Sequence, residues 1–179
     1  MDYSAKGDWL QVDTTLSFEK RDCLSLLELW RERRHEGRLP ARADFDPREL
    51  ASHLGWIVLT DVEDDPLRFR YRLIGSNVAE MAGRDMTGRY LDDIYTPEVF
   101  RIVTAGYRAA IDLRQPVRVH GRFHHVDRGY MTLESLELPL SSDSRRVDML
   151  MIRDCIAFAE DQPISSSIVT RTSDEADKD

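Results

Sequence analysis

The segments that are typical of β-strands fall into two groups, and a run of helical segments separates them. Two strand-like segments occupy residues 56–62 and Leu67–Ile74, and three more occupy residues 117–126, 130–140 and 147–158. The chain shows no βαβ alternation, so we expect hairpins to join neighbouring strands. The order predicts an α+β fold with one five-stranded antiparallel sheet, arranged ββ-helices-βββ along the chain.

The strands differ in how many of their faces are apolar. In Leu67–Ile74, apolar residues alternate with Arg68, Arg70 and Arg72, which predicts one buried face and one charged, exposed face. In residues 147–158, apolar side chains occupy both faces, as is typical of a central strand that is covered on both sides. We therefore expect helices on both sides of the sheet, and the helices between the two groups of strands would cover one of them.

The residues before the first strand predict an amphipathic helix over residues 18–36. Its apolar side chains recur at spacings of three and four, which places them on one face. This face would either cover the second side of the chain's own sheet or pack against a partner's sheet in a homodimer. In the second case Leu26, Leu27 and Trp30 are the predicted interface residues, and the sequence leaves both arrangements open.

The longest helix between the strands carries small residues on its packed face. Thr96 and Pro97 are typical of a helix start, and the helical pattern continues to Leu113. Gly106 and Ala110 stand in the middle of the apolar stripe, where we expect them to leave space for a ligand. Shorter helices are predicted over residues 47–54 and 76–82.

Length and charge limit the function classes. The 179 residues suit one domain, and we divide them into a flexible segment (1–17), a helical extension (18–55), a core (56–160) and a disordered acidic tail (161–179). A net charge of −8 has the wrong sign for a protein that binds nucleic acid through its overall charge. The absence of a signal-peptide pattern or a long apolar stretch predicts a cytoplasmic chain that does not insert into membranes.

The hairpin formed by residues 117–126 and 130–140 decides which acidic side chain is buried. If Arg128 and Gly129 are its central turn residues, Phe123 pairs with Glu134 and the Glu134 carboxylate points towards the core. A buried carboxylate requires a partner, either a ligand or an internal hydrogen bond. A shift in register would instead leave Glu134 in water, and the sequence does not choose between the two.

Several short motifs occur in a specific order. They are Leu29-Trp30, Arg-Leu-Pro at 38–40, Asp-Phe-Asp-Pro at 44–47, Phe-Arg-Tyr-Arg-Leu-Ile-Gly at 69–75, Met-Thr-Gly at 86–88 and Glu-Leu-Pro-Leu at 137–140. With the order of strands and helices, they resemble a small, stand-alone bacterial PAS-type family found mainly in alphaproteobacteria. The resemblance covers residues 24–156. It implies a PAS-like sheet with helices over one face and a sensory or regulatory role.

The resemblance and the small residues together predict a module that binds a small, mainly apolar ligand between sheet and helices and signals through protein contacts. The predicted pocket residues are Tyr71, Met81, Gly106, Ala110, Phe123, Glu134 and Leu136. The alternative is a ligand-free adaptor that binds partners through the helix at 18–36 and the strand with three arginines. Neither the ligand nor the partner protein is identified by the sequence.

The residues argue against a metal site and against an enzyme. His120 and His124 would lie about 13 Å apart along one face of a strand, and His125 would point to the other face. Metal–nitrogen bonds are far shorter than this spacing, so we predict no metal site. The motifs of a nucleophile elbow, a phosphate-binding loop and a zinc protease are absent from the sequence.

Two cofactors of other PAS proteins also lack their usual attachment residues. Haem-binding members generally carry the ligand histidine on the long helix, and Pro97–Leu113 contains no histidine. The cysteinyl–flavin adduct of light-sensing members needs a cysteine near residues 83–88, and none is present there. Cys23 and Cys155 are predicted to be buried thiols. The cofactor, if the protein has one, is unknown from the sequence.

Overall fold

One antiparallel sheet organises the chain. The computed structural model describes residues 10–35, 37–125 and 129–158, with the backbone alone at residues 123–125, 129–131, 157 and 158. The sheet has six strands in the spatial order β1-β4-β5-β6-β2-β3. The strands are β1 (Leu10–Asp13), β2 (Ile57–Asp64), β3 (Leu67–Ile74), β4 (Val117–His125), β5 (Gly129–Leu140) and β6 (Met149–Phe158). The α+β class is confirmed, but the sheet has six strands instead of five.

Within the described ranges, four α-helices accompany the sheet: α1 (Arg21–Arg33), α2 (Ser76–Met81), α3 (Leu91–Ile94) and α4 (Pro97–Leu113). Two short 3₁₀ helices lie at Arg42–Asp44 and Leu54–Trp56. The start of α4 follows the sequence signal, since the Thr96 side chain accepts a hydrogen bond from the Val99 amide and Pro97 occupies the first turn. The segment predicted as a helix at 47–54 instead forms consecutive turns over residues 47–53, and Leu54 begins a short 3₁₀ helix. A segment this short gains few helical hydrogen bonds for the cost of nucleation.

The additional strand, β1, lies in the segment that was predicted to be flexible. Leu10–Asp13 pairs antiparallel with β4, with Val12 opposite Val119. The edge of β4 offers unpaired backbone groups, and a short strand that covers such an edge satisfies them. Four residues are too few for an alternating pattern to be recognised in the sequence. The predicted tail at residues 161–179 lies outside the described residues.

Helices cover both faces of the sheet. Helix α1 packs against β5 and β6 on one face, and α4 packs against β4 and β5 on the other. Leu26, Leu27 and Trp30 are each at most 1% exposed, and the Trp30 indole N–H donates a hydrogen bond to the Pro139 carbonyl at 3.0 Å. These three residues, predicted as a dimer interface in one of the two arrangements, therefore belong to the core of their own chain. None of the helices in the described ranges is long and apolar enough to cross a membrane.

A buried ion pair holds the start of α1 against the sheet. Arg118 donates through Nε to Glu134 Oε1 at 2.7 Å. The Glu134 carboxylate also accepts the backbone N–H groups of Glu19 and Lys20, at 3.1 and 2.8 Å. Burial by itself would raise the pKa of Glu134, but the two N–H groups and the guanidinium outweigh it, so the pKa lies below its usual value. The carboxylate thus satisfies orphan donors at a helix N-terminus.

We expect Glu134→Gln to lower the free energy of unfolding by about 3 kcal/mol, because the buried Arg118 guanidinium loses its nearer carboxylate and keeps Asp13, at 3.3 Å, as its other acidic partner. The free energies of unfolding are measured by urea denaturation at pH 7, with Glu28→Gln on the exposed side of α1 as the control. Because the pKa of Glu134 is lower in the folded state, its stabilisation is complete above the unfolded pKa of about 4.3 and is lost as pH falls through the folded pKa. Equal stability of wild type and variant at pH 7 would contradict this role.

Candidate functional site

A cavity of about 680 Å³ lies between the sheet and the helices α2 and α4. This volume is within the range of small-molecule sites in proteins. Most of its wall is apolar, with contributions from strands of both hairpins and from both helices. Representative wall residues are Val58, Ile74, Val78, Ile102, Val103 and Val119.

A bulge in β3 shapes one side of the cavity. Leu59 pairs with Leu73 but Thr60 pairs with Tyr71, so Arg72 is an extra residue on β3. An extra residue reverses the alternation of side chains beyond it. Ile74 consequently lines the cavity, while Leu73 is 39% exposed. This corrects the expectation from the alternating pattern, which placed Leu73 on the buried face.

Two acidic side chains from neighbouring strands line the cavity: Glu137 of β5 and Asp154 of β6. Glu137 is 3% exposed, and its Oε2 atom has no hydrogen-bond partner among the described residues. Burial, reinforced by the negative charge of Asp154, raises the pKa of Glu137 well above its usual value. Burial also raises the pKa of Asp154, to about 6. Both shifts reflect the cost of an uncompensated charge inside a protein.

Gly106 brings α4 close to the acidic group. A Cβ atom at this position would overlap the Glu137 carboxylate and the Val119 side chain. Gly106 and Ala110 are both buried, and neither lines the cavity. The small residues of α4 therefore allow the helix to approach the sheet, whereas the sequence had suggested that they leave room for a ligand.

Tyrosine hydroxyl groups add further polar positions to the wall. The Tyr71 and Tyr95 hydroxyl oxygens lie 3.2 Å apart in a hydrogen bond. Tyr107 packs edge-on against Phe69, with ring centroids 5.4 Å apart. Burial raises the pKa of Tyr71 and Tyr107 well above the ordinary tyrosine value, so both hydroxyl groups keep their protons at neutral pH.

The cavity opens to solvent beside the first turns of α4. Glu98, Val99 and Arg101 line it and are exposed, as is Ala82 just after α2. The entrance is thus partly charged, while the deeper wall near Glu137 is apolar apart from the acidic pair and its neighbouring hydroxyl groups. A ligand with an apolar body and one polar end would match this distribution.

The register of the β4–β5 hairpin differs from the predicted one. Val117 pairs with Glu137, His120 pairs with Glu134, and Phe123 pairs with Met131. The predicted two-residue turn would pair Phe123 with Glu134, which lies three positions along β5 from the observed partner Met131. Turn residues such as Asp-Arg-Gly do not determine the length of a connection, so the sequence signal could not set the register.

The predicted pocket residues are consequently divided between several places. Tyr71 and Met81 line the cavity. Glu134 and Leu136 face α1 on the other side of the sheet, since they alternate with the cavity residues Ser135 and Glu137. The Phe123 side chain lies outside the described residues.

Sequence reasoning did not select Asp154 or Ser135, and it named Glu137 without assigning it to the cavity. The signal for Asp154 was present, because burying an aspartate in a strand with apolar residues on both faces is costly unless the carboxyl group has a partner or a function. For the metal question, no group of three or more potential ligand side chains comes together in the part of the chain that is described. His120 lies on β4 opposite Glu134, and the side chains of His124 and His125 are not among the described ones.

The domain is of the α+β class and has an antiparallel sheet with helices over each face. On one face, the sheet and the helices together enclose a cavity of the size of a small-molecule site. The sequence profile of the PAS domain family matches residues 19–151. The chain therefore belongs to the PAS domain family, as the motifs and strand order indicate. Among curated proteins, none matches the chain.

Solved structures that match include an RNA-binding light-oxygen-voltage receptor, with 16% sequence identity and a TM-score of 0.42. That match covers 65% of this chain and 35% of the receptor chain, so this chain spans about a third of the receptor's length. A sensory box histidine kinase/response regulator from Burkholderia thailandensis E264 matches with 12% identity and a TM-score of 0.40, covering 63% of this chain and 86% of that chain.

We expect Gly106→Ala to lower the free energy of unfolding by about 2 kcal/mol, because the added methyl group must displace Glu137 and Val119. A double-mutant cycle with Glu137→Ala isolates the contact with the carboxylate. Gly106→Ala should cost clearly less in the Glu137→Ala background, as measured by urea denaturation. An equal cost in both backgrounds would show that Gly106 does not serve to accommodate Glu137.

Proposed function

We propose that this PAS domain is a sensory module that binds a small, largely apolar ligand in the cavity beneath α4 and signals through contacts with another protein. PAS domains generally act as sensory modules, which favours this role over a catalytic one. The observation that carries the proposal is Oε2 of Glu137, which is buried without a hydrogen-bond partner among the described residues, in a side chain that lines a cavity of about 680 Å³. Leaving such a group without a partner costs free energy, which a ligand that bonds to it would recover.

The other face of the same strands offers a route for the signal. Lys20, immediately before α1, donates its backbone N–H to Glu134 of β5. Asp22 in the first turn of α1 pairs with Arg153 of β6 at 2.9 Å. The strands β5 and β6 carry the acidic side chains of the cavity on one face and these contacts with α1 on the other. A ligand that shifts either strand therefore changes the position of α1 on the sheet. The exposed side of α1 is our proposed partner surface.

The ligand-free adaptor is the less favoured alternative. It was predicted to use two surfaces, the helix at 18–36 and the arginines of β3. The arginines are engaged within the chain: Arg68 pairs with Asp92 at 2.8 Å, and Arg70 pairs with Asp61 at 2.9 Å. Arg72 also lies 3.5 Å from Asp61. Side chains that already have acidic neighbours gain less from an acidic partner, and a fully packed core would not contain the cavity.

Native mass spectrometry of the freshly purified chain tests the proposal. We expect a mass above that of the chain, with the excess lost on denaturation. Ile102→Trp places a larger side chain in the wall of the cavity and should abolish the excess mass. Leu113→Trp changes an exposed residue at the end of the same helix and should retain it, which makes it the matched control.

Circular dichroism of both variants establishes that they are folded before the masses are compared. If the wild type shows the chain mass alone, the chain is titrated with a fractionated small-molecule extract and the melting temperature is followed. The absence of any fraction that stabilises the wild type more than Ile102→Trp would contradict ligand binding in this cavity.

A further inference from the structure

The charges that line the cavity are unbalanced. Glu137 and Asp154 lie in its inner wall, and Glu98 lies at its entrance. Among the described lining residues the single basic side chain is Arg101, which is exposed on α4 near the entrance. Arg153, the chain neighbour of Asp154, points to the opposite face of the sheet and pairs with Asp22. The inner wall therefore presents carboxyl groups to a bound molecule without a cation of its own.

The acidic groups are close enough in the sheet to act on one ligand group. Asp154 is the cross-strand partner of Ser135, and Glu137 is two residues further along β5 on the same face. Glu137 is 3% exposed, and its Oε2 atom has no hydrogen-bond partner in the described part of the chain. Glu137, Ser135 and Asp154 thus lie on one face of two neighbouring strands, and all three line the cavity.

We infer that the ligand carries a positively charged amine group on an apolar body, with the amine held by Glu137 and Asp154 beside Ser135. A primary ammonium group has three N–H donors, which suits three neighbouring oxygen acceptors. Charge-assisted hydrogen bonds of this kind are stronger than neutral ones. An anionic ligand would meet two acids and no buried cation. This inference rests on the proposed function and specifies the class of ligand.

Three probes of equal chain length separate the possible head groups: heptan-1-amine, heptan-1-ol and heptanoate. Their affinities for the full chain are measured by isothermal titration calorimetry at pH 7.5, after dialysis. We expect the amine to bind at least tenfold more tightly than the alcohol, since charge-assisted hydrogen bonds are about twice as strong as neutral ones. Heptanoate should bind most weakly.

Glu137→Gln keeps the shape of the side chain and removes its ability to ionise beside a bound ammonium group. It should weaken binding of the amine about tenfold while changing binding of the alcohol less than twofold. Glu80→Gln removes a charge of the same sign at an exposed position of α2 that does not line the cavity and should change binding of the amine less than threefold, so it controls for overall charge.

The outcomes separate the two proposals. If the alcohol or heptanoate binds more tightly than the amine, or if Glu137→Gln leaves binding of the amine unchanged, the inference about charge is overturned and the cavity remains a ligand site. If none of the three probes binds, the inference also fails, and the mass measurement on wild type and Ile102→Trp decides the proposed function separately.

A second inference comes from the opposite face of the sheet. Cys23 of α1 and Cys155 of β6 are free cysteines whose Sγ atoms lie 3.1 Å apart. The sulfur atoms of a disulfide are about 2.05 Å apart, so a shift of about 1 Å would join them. Cys23 is fully buried, whereas Cys155 is partly exposed beside a shallow surface depression that also borders Asp22.

We propose that hydrogen peroxide converts Cys23 and Cys155 into a disulfide that locks α1 to the sheet. The Cys155 thiolate attacks the peroxide and takes one oxygen as a sulfenic acid, and the O–O bond breaks to release hydroxide, which a proton turns into water. Cys23 sulfur then attacks the Cys155 sulfur, and the departing hydroxyl group leaves as water with the Cys23 proton. Two thiols lose two electrons, and one peroxide is reduced to two waters. The hydrogen bond from the Cys23 thiol lowers the pKa of Cys155, which favours Cys155 as the attacking group.

Intact-mass measurement after peroxide treatment tests the disulfide. The wild type should lose the mass of two hydrogens and regain it with dithiothreitol, and a peptide digest should contain Cys23 linked to Cys155. Cys23→Ser should instead gain oxygen at Cys155, whereas Cys155→Ser should stay unmodified. Accumulation of oxygen on Cys155 in the wild type without a disulfide would overturn the proposal, as would a disulfide between two chains.

Discussion

The register of the β4–β5 hairpin is the constraint on which the arrangement of this domain depends. It pairs Val117 with Glu137 and His120 with Glu134. Because side chains alternate along a strand, residues 134 and 137 must lie on opposite faces of the sheet. One buried glutamate therefore faces the cavity, and the other faces α1.

The two buried glutamates differ in charge state and in role because their surroundings differ. Glu134 receives a guanidinium and two backbone N–H groups, so it stays charged and holds the start of α1. Glu137 has an oxygen without a partner in the described part of the chain, and burial favours its protonated form. The first carboxylate is structural, whereas the second has bonding capacity left for a ligand.

The sequence signals that succeeded are local ones. The Thr96-Pro97 start of α4 was visible because a cap and an N-terminal proline are neighbours in the chain. The bounds of β3 followed from its alternation, but the bulge at Arg72 did not, because a bulge depends on how β3 pairs with β2. Similarly, β1 is a strand mainly because the edge of β4 is available to it.

The sequence by itself determined the α+β class, the order of the elements and the membership of the PAS domain family, since periodicity, caps and motifs are encoded within a few adjacent residues. The tertiary structure alone decided that Glu137 and Asp154 both line the cavity and that Gly106 leaves space for the Glu137 carboxyl group. It also decided that Leu26, Leu27 and Trp30 pack on the sheet of their own chain. The physical reason is that each of these contacts joins residues far apart in the chain. Strand register and competition for buried surface determine which of these residues come into contact. A local sequence pattern contains no information on either.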